Sequence, residues 1–399
     1  MCKYELIYFD YVAGKDILFK CSERDVEDGF CVFHHPEYWK KNPLEILQEL
    51  DRKVKLAVRN NETLFCLGYN LPDITLSGKI DRSMFVASKF HGKTVFEGTE
   101  FVLTDFSRAV FDYANFRRTK FFDANLRGAR FVEADFSEVT FGEANFNDAA
   151  FREVDFSLAT FGKAYFFDLN KIKGKRRCGS DPILYFDFVD FCNPEEVHFN
   201  AFDLSNTSFL DTDVSRIDIG EMVRWSAKKL LDEKLADEGQ IPYEAVATVF
   251  RRLRQNLESR LRYVEAGRFF VAEMEMRRKN VGTKNRVLRW LRTNIFSALA
   301  WYKYFSNYGE SYQRLVPWIV FTPLGAAFLA TLVTGPLLEP SQLITFFQEY
   351  YQSYIYAFFQ LKTDNMAELI IRVLSLLFIG QLYVALRRQF ERRYKTSKD

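Results

Sequence analysis

Histidine is almost missing from this 399-residue chain: there are four, two of them adjacent. No Ser-His-Asp arrangement can be assembled from so few, which leaves little material for general acid–base or nucleophilic catalysis. Neither a GxxxxGK(S/T) phosphate loop nor a GxGxxG turn occurs, so no nucleotide site is expected, and no other cofactor either. The six cysteines include no CxxC pair. With no signal peptide at the start, they are expected as reduced thiols in a cytoplasmic compartment rather than as a disulfide framework. A large excess of one charge is also absent, the net being +2. The chain reads as a non-enzyme.

What is plentiful is phenylalanine, 42 residues of it. Phe101, Phe106, Phe111, Phe116, Phe121, Leu126, Phe131, Phe136, Phe141, Phe146, Phe151, Phe156, Phe161 and Phe166 fall five apart without a gap. A helix would scatter these side chains around its circumference, and a flat strand would send them to alternate faces. They can share one side only if the chain turns a corner every five residues, which makes a solenoid. A small residue, mostly Ala, Thr or Val, precedes each large one by two positions. The series resumes over Phe199, Leu204, Phe209 and Val214 after a basic stretch, NKIKGKRRCGSD, expected as a surface loop at 170–182.

Segments such as ANFRR, ANLRG, ADFSE and ANFND resemble the pentapeptide repeat family, whose consensus is A(D/N)LXX. The resemblance implies a right-handed, quadrilateral β-helix over residues 80–219, behind an N-terminal capping region at 1–79. Four repeats then make one coil, so Phe101, Phe121, Phe141 and Phe161 are expected in one column. Phe106, Leu126, Phe146 and Phe166 form the next. Some members imitate duplex DNA through an acidic solenoid. Here residues 96–170 hold 13 acidic and 8 basic residues, a balance of −5, which is modest for that, so a nucleic-acid-related role is not expected.

Thiols and imidazoles come close together in KCSERDVEDGFCVFHHPEYW, where Cys21, Cys31, His34 and His35 are zinc ligands by type. The spacing matches no common finger. Four ligands would need both adjacent histidines or a recruited Cys2 or Cys66. The alternative is a capping domain with buried cysteines and a structural histidine.

Near the C-terminus lie two apolar runs. Residues 316–338 carry no charge, and residues 369–386 carry only Arg372 near their start. Each is close to the roughly 20 residues that cross a bilayer. Lys and Arg cluster before the first run and after the second, in a basic tail at 389–399, while the connecting loop is poor in them. The positive-inside rule therefore places both termini and the solenoid in the cytoplasm of a multi-pass inner or plasma membrane protein. Between the runs, residues 342–360 are aromatic and nearly uncharged. A span, a short apolar helix, a polar stretch and a second span resemble the two-transmembrane pore-loop ion channels. That implies a homotetramer in which Gln360, Leu361, Lys362, Thr363 and Asp364 line the filter and Gly380 is an inner-helix hinge. A potassium filter reads TVGYG, because glycines let carbonyls replace the ion's water shell. QLKTD has no glycine and puts Lys362 in the path, so the expected pore is poorly selective or is constricted at Asp364 or Gln381. The competing reading is a plain anchor whose tyrosines sit at headgroup level.

Residues 220–314 have helical spacing. Met222, Trp225, Leu230 and Leu231 suggest a first helix, Tyr243 to Tyr263 a second and Glu265 to Arg278 a third. The last two resemble a tetratricopeptide-like hairpin. Glu273 and Glu275 are two apart and face different sides of their helix, so ion pairs with Arg277 and Arg278 are expected rather than a catalytic dyad. The fold class expected is thus a β-helix, a helical linker and a two-span membrane domain at 315–388. Its expected function is an oligomeric ion channel with a sensory or docking solenoid. Its expected partners are the bilayer, its own copies and a cytoplasmic protein on the solenoid. The alternative is a membrane-anchored scaffold that conducts nothing.

Overall fold

The five-residue period is explained by its corners. In the computed structural model, which describes residues 1–10, 15–167, 183–200, 204, 206–220, 223, 225, 231–280, 286–334, 342–359 and 366–396, the residue two beyond nearly every large side chain has a positive φ. Arg108, Tyr113, Arg118, Asp123, Glu133, Glu138 and Leu158 all adopt it, with φ between 51° and 61°. The Asp or Asn just before the large residue closes the same corner. Asp105, Asn115, Asp135, Asn145 and Asp155 each accept, through Oδ1, the backbone N–H two residues on, at 2.7–3.0 Å. These side-chain turns are the physical content of the D/N consensus position.

Corner repeats carry the chain round in coils of twenty residues that pair in parallel. Phe101 is in register with Phe121, Phe121 with Phe141, and Phe141 with Phe161. The rings stack at 5.3, 5.1 and 4.9 Å between centroids, and a second column runs Phe116–Phe136–Phe156 at 4.5 and 5.0 Å. All fourteen large residues are at most 5 % exposed. Each contributes about 2 kcal/mol of apolar transfer energy, and stacked pairs add roughly 0.5–1.5 kcal/mol. At the far end Phe161 pairs with Phe191, thirty residues on instead of twenty. The basic stretch expected as a surface loop at 170–182 lies outside the described residues. The repeat therefore resumes before Phe199, because Phe186 and Phe191 already point inward.

Coil pairing also starts ahead of residue 80, with Leu64–Phe65 against Ser83–Met84 and Asn70–Leu71 against Lys89–Phe90. Two strands, β1 (Glu5–Asp10) and β2 (Lys15–Lys20), form an antiparallel hairpin. Its Leu6, Tyr8, Ile17 and Phe19 pack on Leu67 and Val86 of the first coils. Two helices follow the hairpin, α1 (Tyr38–Lys41) and α2 (Pro43–Asn60), and α2 buries Ile46 and Leu50.

The other end of the solenoid is closed by α3 (Leu231–Asp237) and α4 (Tyr243–Ser259). Asn256, fully buried, donates from Nδ2 to the carbonyls of Val214 and Ile217 at 2.8 and 2.7 Å, and Arg252 donates to that of Thr212 at 2.9 Å. Asp232 accepts the Phe209 N–H at 3.2 Å and the Ser208 hydroxyl at 2.5 Å. Solenoid edges need such caps because their last carbonyls and amides have no further coil to meet. Among the described residues the first helix of the segment is Leu231–Asp237; Trp225 is not helical, and Met222 and Leu230 lie outside the described residues. Met1–Asn256 forms one compact unit and Leu257–Asp399 another, so the expected linker at 220–314 is divided between them.

The second unit contains α5 (Tyr263–Lys279), α6 (Arg286–Asn294), α7 (Ala298–Ser306), α8 (Leu315–Thr334), α9 (Leu343–Phe358) and α10 (Met366–Thr396). Two of these, spanning Tyr312–Val333 and Met366–Arg387, are long and apolar enough to cross a membrane. Only 11 % and 22 % of these windows are buried, unlike the core helices of a water-soluble fold. The backbone of Arg387, Arg388, Arg392, Arg393 and Lys395 continues α10 as helix to Thr396.

Candidate functional site

At the base of the N-terminal hairpin four buried donors converge. Cys2 precedes β1, Cys21 directly follows β2, and Cys31 and His34 sit on the turn beyond. Their ligating atoms all lie within 4.8 Å of one another. Cys21 Sγ and Cys31 Sγ are 3.8 Å apart, His34 Nδ1 is 3.1 Å from Cys31 Sγ and 3.5 Å from Cys2 Sγ. All of these thiols are free; a disulfide would need about 2.05 Å. The Cys21 thiol and then the neighbouring imidazole hold Cys31 below the ordinary thiol range, against the opposing effect of burial. His34 Nε2 meets the Leu67 carbonyl at 2.8 Å, and the Tyr4 ring stacks on the imidazole at 3.9 Å.

His35, expected alongside His34, is not in this group. Successive residues on the turn diverge, and His35 Nδ1 accepts the Glu37 N–H at 3.1 Å while Nε2 faces Asp28 at 3.6 Å. Cys2 takes its place. Cys66 is buried in the first coil and stands outside the group. Sequence spacing could not select Cys2, since antiparallel pairing of β1 with β2 is what carries it to Cys21.

A second constellation lies between α5 and α7. Glu275 accepts hydrogen bonds from Arg278, from Lys303 at 3.0 Å and from the Tyr308 hydroxyl at 2.8 Å. Burial by itself would raise its pKa, but these donors outweigh it and bring the carboxyl to about 2. Glu273, 1 % exposed, pairs with Arg277 at 2.7 Å. The two carboxylates thus serve separate ion pairs. Lys303 and Tyr308 carried no spacing signal that would mark them as partners.

In the apolar part of the second unit, α9 packs against both α8 and α10 through Tyr354, Ala357 and Phe358. Glu368, at the start of α10, is 4 % exposed and accepts a hydrogen bond from Ser353 of α9. Gln360, Leu361, Lys362, Thr363 and Asp364 lie outside the described residues. Gly380 lies on the exposed side of a continuous α10, and a Cβ there would meet nothing within 4 Å. Its neighbour Gln381 holds an enclosed Oε1 with no hydrogen-bond partner among the described residues.

A twenty-residue coil, an Asx-closed corner every five residues and stacked Phe columns define a β-solenoid of pentapeptide repeats. Residues 93–128, 119–157 and 129–166 match the family described as Pentapeptide repeats, in eight copies. Over 222 residues the chain is 28 % identical to the uncharacterized protein MJ1147 of Methanocaldococcus jannaschii. That match covers 48 % of this chain and 46 % of the relative, so the chain spans about half of that protein's length. Among solved structures it is similar to HetL, a pentapeptide repeat protein involved in heterocyst differentiation regulation in the cyanobacterium Nostoc sp., at 17 % identity and a TM-score of 0.20. This match covers 38 % of this chain and 61 % of HetL. It is similar also to full-length QnrB1, a plasmid-mediated fluoroquinolone resistance protein, at 17 % identity over 44 % of this chain and 97 % of that one, with a TM-score of 0.20.

Proposed function

We propose that this is an integral membrane protein whose C-terminal unit assembles, as a homotetramer, into an ion-conducting pore, with the solenoid as a cytoplasmic docking or sensory domain. The supporting observation is the helix order of that unit. α9 has 16 residues, about 24 Å of helix, too short to cross a hydrocarbon core of about 30 Å. It nevertheless packs between two helices that are long enough to cross. A polar amide, Gln381, sits within the second of these, and polar groups at that depth face other helices or an aqueous path rather than lipid. The basic flanks of the two spans favour cytoplasmic termini. No catalytic step belongs to this reading.

The test is conductance of the purified full-length protein in planar bilayers, with mass in detergent measured first. Current that changes on Gln381→Leu supports the pore. A monomer in detergent, or silent bilayers from an assembled tetramer, overturns it in favour of the anchored scaffold. One observation gives that second reading its own support: Leu158 and Phe188, on neighbouring coils of one solenoid corner, are 56 % and 52 % exposed. Adjacent exposed apolar side chains suit a protein partner.

A further inference from the structure

We propose that Cys2 Sγ, Cys21 Sγ, Cys31 Sγ and His34 Nδ1 bind one structural zinc ion, which pins the N-terminal hairpin onto the first coil of the solenoid. The distances carry the argument. Zinc bonds of about 2.3 Å to sulfur and 2.0–2.1 Å to nitrogen, at tetrahedral angles, separate two sulfurs by about 3.8 Å and a sulfur from a nitrogen by about 3.5 Å. Cys21 and Cys31 stand 3.8 Å apart, and Cys2 stands 3.5 Å from the His34 nitrogen. The third edge with a direct contact, Cys31 to His34, is shorter at 3.1 Å, and all four donor atoms lie within 4.8 Å of one another.

The orientation of His34 is an independent observation. Its Nε2 lies 2.8 Å from the Leu67 carbonyl, which can only accept, so Nε2 carries the proton and Nδ1 presents its lone pair to the three sulfurs. Metal-bound imidazoles are held by this kind of outer hydrogen bond. All four ligands are at most 7 % exposed, so a metal there has no open position for substrate, as in structural and not catalytic sites. Three thiolates and one imidazole in a tetrahedron select zinc over the hard cations, which prefer oxygen.

The ion would do mechanical work. The hairpin meets the solenoid through Leu6, Tyr8, Ile17 and Phe19 against Leu67 and Val86, and through an Arg108 to Ile7 carbonyl hydrogen bond at 2.9 Å. Zinc joins the base of the hairpin to the turn that His34 anchors at Leu67. The cap and the first coil then become one body.

The experiment is metal analysis of the full chain, purified in detergent without chelator, followed by exchange of the ion for cobalt. One equivalent of zinc per chain, and cobalt absorption bands characteristic of a tetrahedral thiolate site, are expected. Cys31→Ser and His34→Ala should lose the metal, whereas His35→Ala and Cys66→Ser should keep it. Amide exchange in the hairpin should accelerate at least tenfold on chelation, while that of the Phe columns stays unchanged. The wild-type metal content is decisive even if a variant fails to fold. Zinc well below one equivalent after incubation with the ion overturns the proposal. So does a Cys21–Cys31 disulfide found by mass spectrometry, or metal retained by both ligand variants.

Discussion

Phe136 stands between Phe116 and Phe156 in its column, with rings 4.5 and 5.0 Å away and no exposed surface. An aspartate there would be an unpaired charge among stacked rings. Phe136→Asp should cost on the order of 4 kcal/mol, from lost ring burial together with an uncompensated carboxylate. Ser137→Asp, one residue away at the corner, should change stability by less than about 0.5 kcal/mol. Thermal melts of the two variants check this, and equal melting points would refute the register. Two glycines in one column offer a sharper contrast. A Cβ on Gly162 would lie 2.5 Å from the Gly142 carbonyl oxygen, whereas one on Gly142 would make ordinary contacts at 3.5 Å. Gly162→Ala should therefore destabilise the solenoid by about 1–3 kcal/mol, and Gly142→Ala should be close to neutral.

Among the elements, the helices α4 and α5 each depend on one polar residue inside an apolar setting. Asn256→Leu in α4 should cost about 2–3 kcal/mol, because it strands two buried carbonyls at the solenoid edge. Denaturant unfolding of the chain cut after Ser259 would measure it. In α5 its partners bring the Glu275 carboxyl of the folded chain down to about 2, from an ordinary glutamate value of 4.5. The folded state therefore binds this proton less readily than the unfolded one. The stabilisation is fully present above about pH 4.5 and is lost as the pH falls from there towards 2. Amide exchange in α5 and α7 should accelerate over that window in the wild type. Glu275→Gln, already neutral, should exchange faster throughout and show no such step. Element boundaries were only partly legible in the sequence. The Phe period marked every corner from Phe101 to Phe166, since the pattern is local and each repeat carries its own Asx turn. Phe186 and Phe191 are still in phase with Phe166 but escaped because the in-phase positions between, Lys171, Arg176 and Asp181, are charged and break the run.

For the whole molecule, the division at Asn256 separates a solenoid with caps at both ends from a helical unit with two bilayer-length helices. A chain ending at Ser259 should remain in the supernatant after ultracentrifugation and melt cooperatively, whereas the full chain should sediment with membranes and require detergent. A truncated chain that still partitions with membranes would place the anchor elsewhere. Both the five-residue solenoid and the apolar helices were readable from sequence alone, because each is a pattern within one stretch of chain: a corner every five residues, or about twenty apolar residues in a row. Tertiary structure alone decided what depends on residues far apart in sequence. It brought Cys2 to Cys21, Cys31 and His34 and turned His35 away, because strand pairing and the divergence of consecutive turn residues are not encoded in spacing. It gave Glu275 the partners Lys303 and Tyr308 for the same reason. It also set the ends of the solenoid, where Asn256 and Asp232 bind the last coil through backbone groups that no side-chain pattern reveals.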